Sequence, residues 1–168
     1  MKKQLVRFIL AICFLSGVVS CGKDNEETDQ RLINKENKEA GERFLINNAG
    51  QDGVKQTFTG LQYKVEVPGT GIRPYPEDSI SVTYTGKLID GTVFASAMDE
   101  NMLLIRQING FQEGLQLMAE GATYTLYIPN YLAYGTSSRT VSYDGKAITI
   151  KPFSVLIFEI TLNSVKRN

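Results

Sequence analysis

The sequence has no histidine, no tryptophan and only two cysteines in 168 residues. The missing histidine excludes Ser-His-Asp and Cys-His nucleophilic chemistry, and every His-ligated metal site with them. Cys13 and Cys21 both lie in the first 21 residues. Removal of residues 1–20 would leave one cysteine and no disulfide within the chain. A zinc site would then have to be all carboxylate, which suits zinc poorly. No Walker-type phosphate loop and no dinucleotide fingerprint occurs. Residues 21–168 keep all 18 acids but only 15 of the 18 bases, a net charge of −3. That balance offers nothing to a nucleic-acid backbone. The composition points to no metal and no cofactor. Any catalysis must proceed without a strong base or nucleophile.

The N-terminus is where apolar residues concentrate. Lys2, Lys3 and Arg7 precede an apolar run from Phe8 to Val19. A bilayer span needs about 20 apolar residues, so this run is short for one. Its length and basic flank fit the core of an export signal. Val18-Val19-Ser20-Cys21 then resembles a bacterial lipobox, with cleavage before Cys21. The expectation is a chain lipidated at Cys21. It would be held in the cell envelope, on the periplasmic face or outer surface of a bacterial outer membrane. An ordinary export signal that happens to contain Cys21 is the plainer alternative.

Beyond Cys21 the chain divides by texture. Gly22–Gln30 is polar and acidic and reads as a disordered stalk. Residues 29–47 carry a weak helical pattern, with Leu32, Ile33, Ala40, Phe44 and Leu45 on a broad face. It reads as a spacer helix, with a solvated charged linker as the alternative. The expected division is a signal over 1–20, a stalk and spacer over 21–58, and a folded domain over 59–168. Leu61–Val67 and Ser79–Leu88 alternate with period two and predict half-buried strands. Asp90-Gly91 marks a hairpin turn. A short strand at Val93-Phe94 and a separate apolar run at Met102–Ile105 follow. Ile108, Phe111, Leu115 and Met118 recur at helical spacing, with Asn109 as the expected cap and Gly121 as the stop. Ala122–Ile128 predicts a strand, Pro129–Ala147 a long loop with an Asp144-Gly145 turn, and Phe153–Leu162 a central strand. The fold class is α+β: an antiparallel sheet of five or six strands wrapped on one short helix.

These segments carry a resemblance. Tyr84-Thr-Gly-Lys-Leu88 with Asp90-Gly-Thr-Val-Phe94 resembles the opening motif of FKBP-type peptidyl-prolyl isomerases. Asn109–Leu115 is similar to their helix start, Ile128-Pro129 with Leu132–Gly135 to their strand-to-loop motif, and Leu156–Ile160 to their last strand. Gly41–Leu45 and Gly60–Tyr63 further resemble exported members with a helical extension. The resemblance covers roughly Gly60 to Val165. It implies an apolar proline pocket holding Tyr84, Phe94, Phe111, Tyr134 and Phe158 as the catalytic set, with Ile108 and Ile150 binding substrate. It implies proline-containing unfolded or exported polypeptides as partners. Twisting an X–Pro bond breaks no bond to proline, which fits the absence of histidine. Any of Phe94, Ile108, Phe111 and Phe158 would also serve as plain core, and Gly86, Gly91 and Gly135 read as turn formers.

The sequence departs from the family at the pocket. Phe111 stands where Trp is usual, and Ala95 where Asp commonly follows Phe94. The segment from Phe94 to Ile108 is shorter than usual, Arg106-Gln107 precedes the helix, and Ile150-Lys151-Pro152 only partly matches the usual loop. These changes leave open a non-catalytic peptide-binding or chaperone module on the same fold.

Overall fold

A computed structural model describes residues 23–167. Helix α1 (Lys23–Ala49) is followed by strands β1 (Val54–Gln56), β2 (Gln62–Val67), β3 (Ser79–Leu88) and β4 (Val93–Leu103). Helix α2 (Asn109–Leu117), β5 (Thr123–Ile128), β6 (Arg139–Tyr143), β7 (Lys146–Ile150) and β8 (Leu156–Lys166) complete the order. Six strands form one sheet in the order β1-β2-β5-β8-β3-β4, every pair antiparallel. β6 and β7 form a separate hairpin. The expected export signal and Cys21 lie outside the described residues.

Alternation builds the core. Tyr124, Leu126 and Ile128 of β5 and Leu156, Phe158, Ile160 and Leu162 of β8 are buried, while their neighbours are less so. One face of the sheet therefore needs a cover, and α2 lies across it. Two glycines set how closely it lies. A Cβ on Gly110 would come within 2.3 Å of Ile128 Cγ2, and one on Gly114 within 2.3 Å of Leu126 Cδ1. Phe111 and Leu115 from the same helix face then fill the core.

Several expectations change. The segment expected to be a disordered stalk is helical from Lys23 onward, continuous with the spacer helix. Lys23, Glu26, Glu27 and Gln30 are good helix formers, and Glu27–Arg31 and Gln30–Asn34 pair one turn apart. Leu32 and Ile33 of the expected apolar stripe are exposed. The docking face is instead Asn37, Gly41, Phe44 and Asn48, spaced three and four residues apart. Asn37 Nδ2 donates to Pro152 O at 2.5 Å and Ser154 Oγ at 3.2 Å. Gly41 lies against Val155, Phe44 on Tyr127 at 6.0 Å, and Asn48 Nδ2 donates to Gln62 Oε1 at 2.9 Å. The sheet begins at Val54, ahead of residue 59, because three half-polar residues with no alternation still pair with β2.

Asn109 does not cap α2. Ile108 occupies the cap position in extended backbone, with no side-chain cap bond. The helix stops at Leu117, before Gly121. Gly121 (φ 83°) serves a later turn, where its N–H reaches Leu162 O at 2.8 Å. The two pieces expected at Val93-Phe94 and Met102–Ile105 are largely one strand. β4 is the sheet edge, paired only with β3, so its middle is exposed and polar. The expected loop over Pro129–Ala147 contains the β6–β7 hairpin, turning on Asp144 (φ 50°) and Gly145 (φ 70°).

Candidate active site

Between α2 and the face of the sheet it covers lies a cleft of about 110 Å³. Phe111, on the sheet-facing side of α2, and Phe158, near the start of β8, form its aromatic base. Their rings meet edge to face, 5.2 Å apart at 81°. Tyr84 of β3 stands 6.0 Å from each. Such edge contacts are the favoured aromatic geometry. Both phenylalanines are nearly closed to water, at 4% and 6% exposure. Ile108 at the entry to α2 and Tyr134 after β5 also line the cleft.

Gly86 makes room for this arrangement. A Cβ there would approach Phe158 Cε1 and Phe94 Cζ at 2.8 Å each. Gly86 lies inside β3 with no positive φ, so it serves close packing and not the turn expected of it. Phe94 stands behind the cleft, its ring 5.5 Å from Phe158, and supports the base without lining it. Ile150 is fully buried in the core and is not among the lining residues. The structure thus brings Tyr84, Ile108, Phe111, Tyr134 and Phe158 together and sets Phe94 and Ile150 apart from the lining.

Two lining residues stand outside the expected site set, Met102 and Gln107, the second of them already noted among the departures at the pocket. Gln107 O accepts from Gln112 Nε2 at 2.6 Å, which ties the corner before Ile108 to α2. Met102 reaches the cleft because β4 carries an extra residue. Val82 pairs with Glu100, but Tyr84 pairs with Ala97. One residue on β3 therefore faces two on β4, Met98 and Asp99. The insertion reverses which side chains face inward beyond it. An alternation read outward from Ala97 would miss both Glu100 and Met102.

The polar groups at the mouth are few. Tyr84 donates from its hydroxyl to Glu100 Oε2 at 3.0 Å. Burial raises the Tyr84 pKa to about 12, helped by the bond to Glu100, its charge, and Tyr134. Tyr84 is therefore neutral at any physiological pH. Arg139 of the hairpin places its guanidinium 5.3 Å from the Tyr134 ring centroid. Ala95 lies on β4 opposite Gly86 and packs beside the core without a polar group. Other hollows are larger, about 270 Å³ beside Asp90 and Lys151, about 360 Å³ beside Leu45 and Gln62, and about 460 Å³ beside Gln30 and Pro152. Tyr131 in the second is the one aromatic ring that lines any of these three.

A family model described as FKBP-type peptidyl-prolyl cis-trans isomerase matches residues 71–163, which include the whole cleft. The chain belongs to the FKBP family. A second model, for the domain amino terminal to FKBP-type isomerases, matches residues 16–65 and so takes in α1 and β1. The FKBP chain is 43% identical over 132 residues to a probable FKBP-type peptidyl-prolyl cis-trans isomerase FkpA of Neisseria meningitidis, covering 76% of this chain and 46% of that one. It is 40% identical to the outer membrane protein MIP of Legionella longbeachae, covering 79% of this chain and 56% of the relative. The crystal structure of Escherichia coli FkpA superposes with a TM-score of 0.75 at 32% identity, covering 86% of this chain and 66% of that one. The chain spans about half the length of the curated relatives it matches.

Proposed function

We propose that this FKBP chain is a peptidyl-prolyl cis-trans isomerase that acts on proline-containing polypeptides exported to the cell envelope. The observation that carries the reading is the cleft walled by Tyr84, Phe111 and Phe158, dry at its base and without an acid or nucleophile inside it. The barrier to turning a peptide bond is about 18–20 kcal/mol and arises from amide resonance. The planar amide is charge-separated; the twisted one is less so. An apolar cleft that seats the proline ring on Phe111 and Phe158 favours the twisted state over the planar one, which is what catalysis requires. Tyr134, which also lines the cleft, would hydrogen-bond the amide through its hydroxyl as the bond turns. No proton need be moved, which accords with a chain that lacks histidine.

The alternative of a client-binding module without catalysis drew on Ala95. A carboxylate nevertheless stands within hydrogen-bond distance of Tyr84, in Glu100. Isomerisation of a prolyl peptide by the chain from residue 22 onward tests the reading. Acceleration that is lost in Phe111→Ala is expected, and a wild-type rate equal to buffer would overturn it.

The division we propose is a signal over 1–20, a spacer over 21–58 whose last strand joins the sheet, and the isomerase unit over 59–168. The lipobox-like Val18-Val19-Ser20-Cys21 supports attachment through Cys21, and the name of the Legionella relative places that protein in an outer membrane. Several buried acyl chains at ~0.8 kcal/mol per CH₂ would anchor the chain stably. Cys21→Ala should move the expressed protein from the membrane to the soluble fraction. An unchanged membrane fraction would contradict the anchor.

A further inference from the structure

The mouth of the cleft holds one carboxylate that the fold has gone to some length to place. Glu100 is exposed, yet its Oε2 takes the Tyr84 hydroxyl at 3.0 Å. It stands there because of the extra residue at Asp99. Without that insertion, residues 99 and 101 would face inward and Glu100 would point away from Tyr84. Asp99 sits at φ 51°, a left-handed backbone that most residues resist but Asp tolerates. Three hydrogen bonds fix it. Its N–H donates to Thr83 Oγ1 at 3.2 Å, and Asn163 Nδ2 donates both to Asp99 Oδ1 at 2.8 Å and to Thr83 Oγ1 at 2.9 Å. The bulge is thus anchored from β3 and β8 together.

We propose that Glu100 is a positioning residue for prolyl isomerisation, acting through Tyr84, and that the Asp99 bulge exists to hold it there. This rests on the reading of the cleft as the proline site. The chemical consequence is directional. A phenol has one proton and two lone pairs. With the proton committed to Glu100, Tyr84 presents only lone pairs to the cleft and accepts from whatever binds. Tyr134 keeps its hydroxyl proton for a substrate carbonyl. The two tyrosines, similar in the sequence, are thereby given opposite roles. A bond to a charged acceptor holds this orientation more firmly than a neutral one. Position 95 cannot do so, because Ala95 has no polar group.

A double-mutant cycle with a separate spectroscopic readout tests the proposal on the chain from residue 22 onward. Glu100→Ala should lower kcat/KM for an uncharged Leu-Pro peptide roughly three- to tenfold, the size of one lost net hydrogen bond. In the Tyr84→Phe background the same substitution should have no further effect. Glu100→Gln, which keeps an acceptor, should recover part of the loss. In tyrosine labelled at Cζ, the NMR resonance of Tyr84 should titrate near 12 in the wild type and lower in Glu100→Ala. Asp99→Val, which disfavours the left-handed backbone, should reproduce both changes, and Asp99→Asn, which tolerates that backbone and keeps a side-chain oxygen for Asn163, should reproduce neither. An equal loss from Glu100→Ala with and without the Tyr84 hydroxyl would overturn the proposal, as would no loss at all. A wild type no faster than buffer would instead remove the site reading beneath it, whatever Tyr84 does in the titration.

Discussion

Gly86 carries a larger burden than its size suggests. Its missing side chain lets Phe94 and Phe158 lie against β3, with both rings 2.8 Å from where a Cβ would stand. Gly86→Ala should force the rings to shift and cost about 1–3 kcal/mol, the usual range for overpacking. Thermal unfolding should show a lowered Tm, and prolyl isomerisation should fall with it; an unchanged Tm would contradict the packing described. Tyr84 gives a prediction in pH. Its folded pKa is raised to about 12 from 10, so the folded state holds the proton after the unfolded chain has released it. Stability from this group is therefore complete below pH 10 and is lost as pH rises through about 12. Denaturant midpoints in Tyr84→Phe should show a smaller alkaline decline than the wild type, with the part due to Tyr127, whose pKa burial also raises, remaining. Between pH 6 and pH 9 Tyr84 stays neutral, so isomerisation should not change through its ionisation.

Among the elements, α2 and α1 dock by different means. α2 reaches the sheet because Gly110 and Gly114 leave room for Ile128 and Leu126. α1 docks through Asn37, Gly41, Phe44 and Asn48, with polar bonds where apolar contacts would be expected. Gly41→Val should push Val155 away, since even a Cβ would lie 3.0 Å from its Cγ2. Amide exchange across residues 37–48 should then quicken, with isomerisation within about twofold of wild type because the cleft lies elsewhere. Unchanged exchange would contradict the docking face. This contrast explains what a sequence reading can reach. β5 and β8 were legible because each buries one face against the core and alternates cleanly. β4 was not, because an edge strand has little apolar pattern and its bulge reverses the alternation at Asp99. Hydropathy found only Phe44 of the docking face of α1, since asparagine and glycine make the rest of it. The same bulge hid Glu100 and Met102, whereas the aromatic members of the cleft were found through motif resemblance.

At the scale of the whole molecule, family membership, the antiparallel sheet crossed by α2, and the aromatic cleft agree with one another. α1 is not a detached rod. Its C-terminal half is tied to β2, β5 and the segment before β8. The central claim is that the Phe111–Phe158 cleft isomerises prolyl bonds without acid–base chemistry. The measurement that tests it most directly is the cis-to-trans rate of a Leu-Pro peptide with the chain from residue 22 onward, beside its Phe111→Ala variant. The account predicts a wild-type rate well above buffer, flat from pH 6 to pH 9, and a loss of most of it in Phe111→Ala. A wild-type rate equal to buffer, or a Phe111→Ala variant that stays folded and as fast as the wild type, would contradict it.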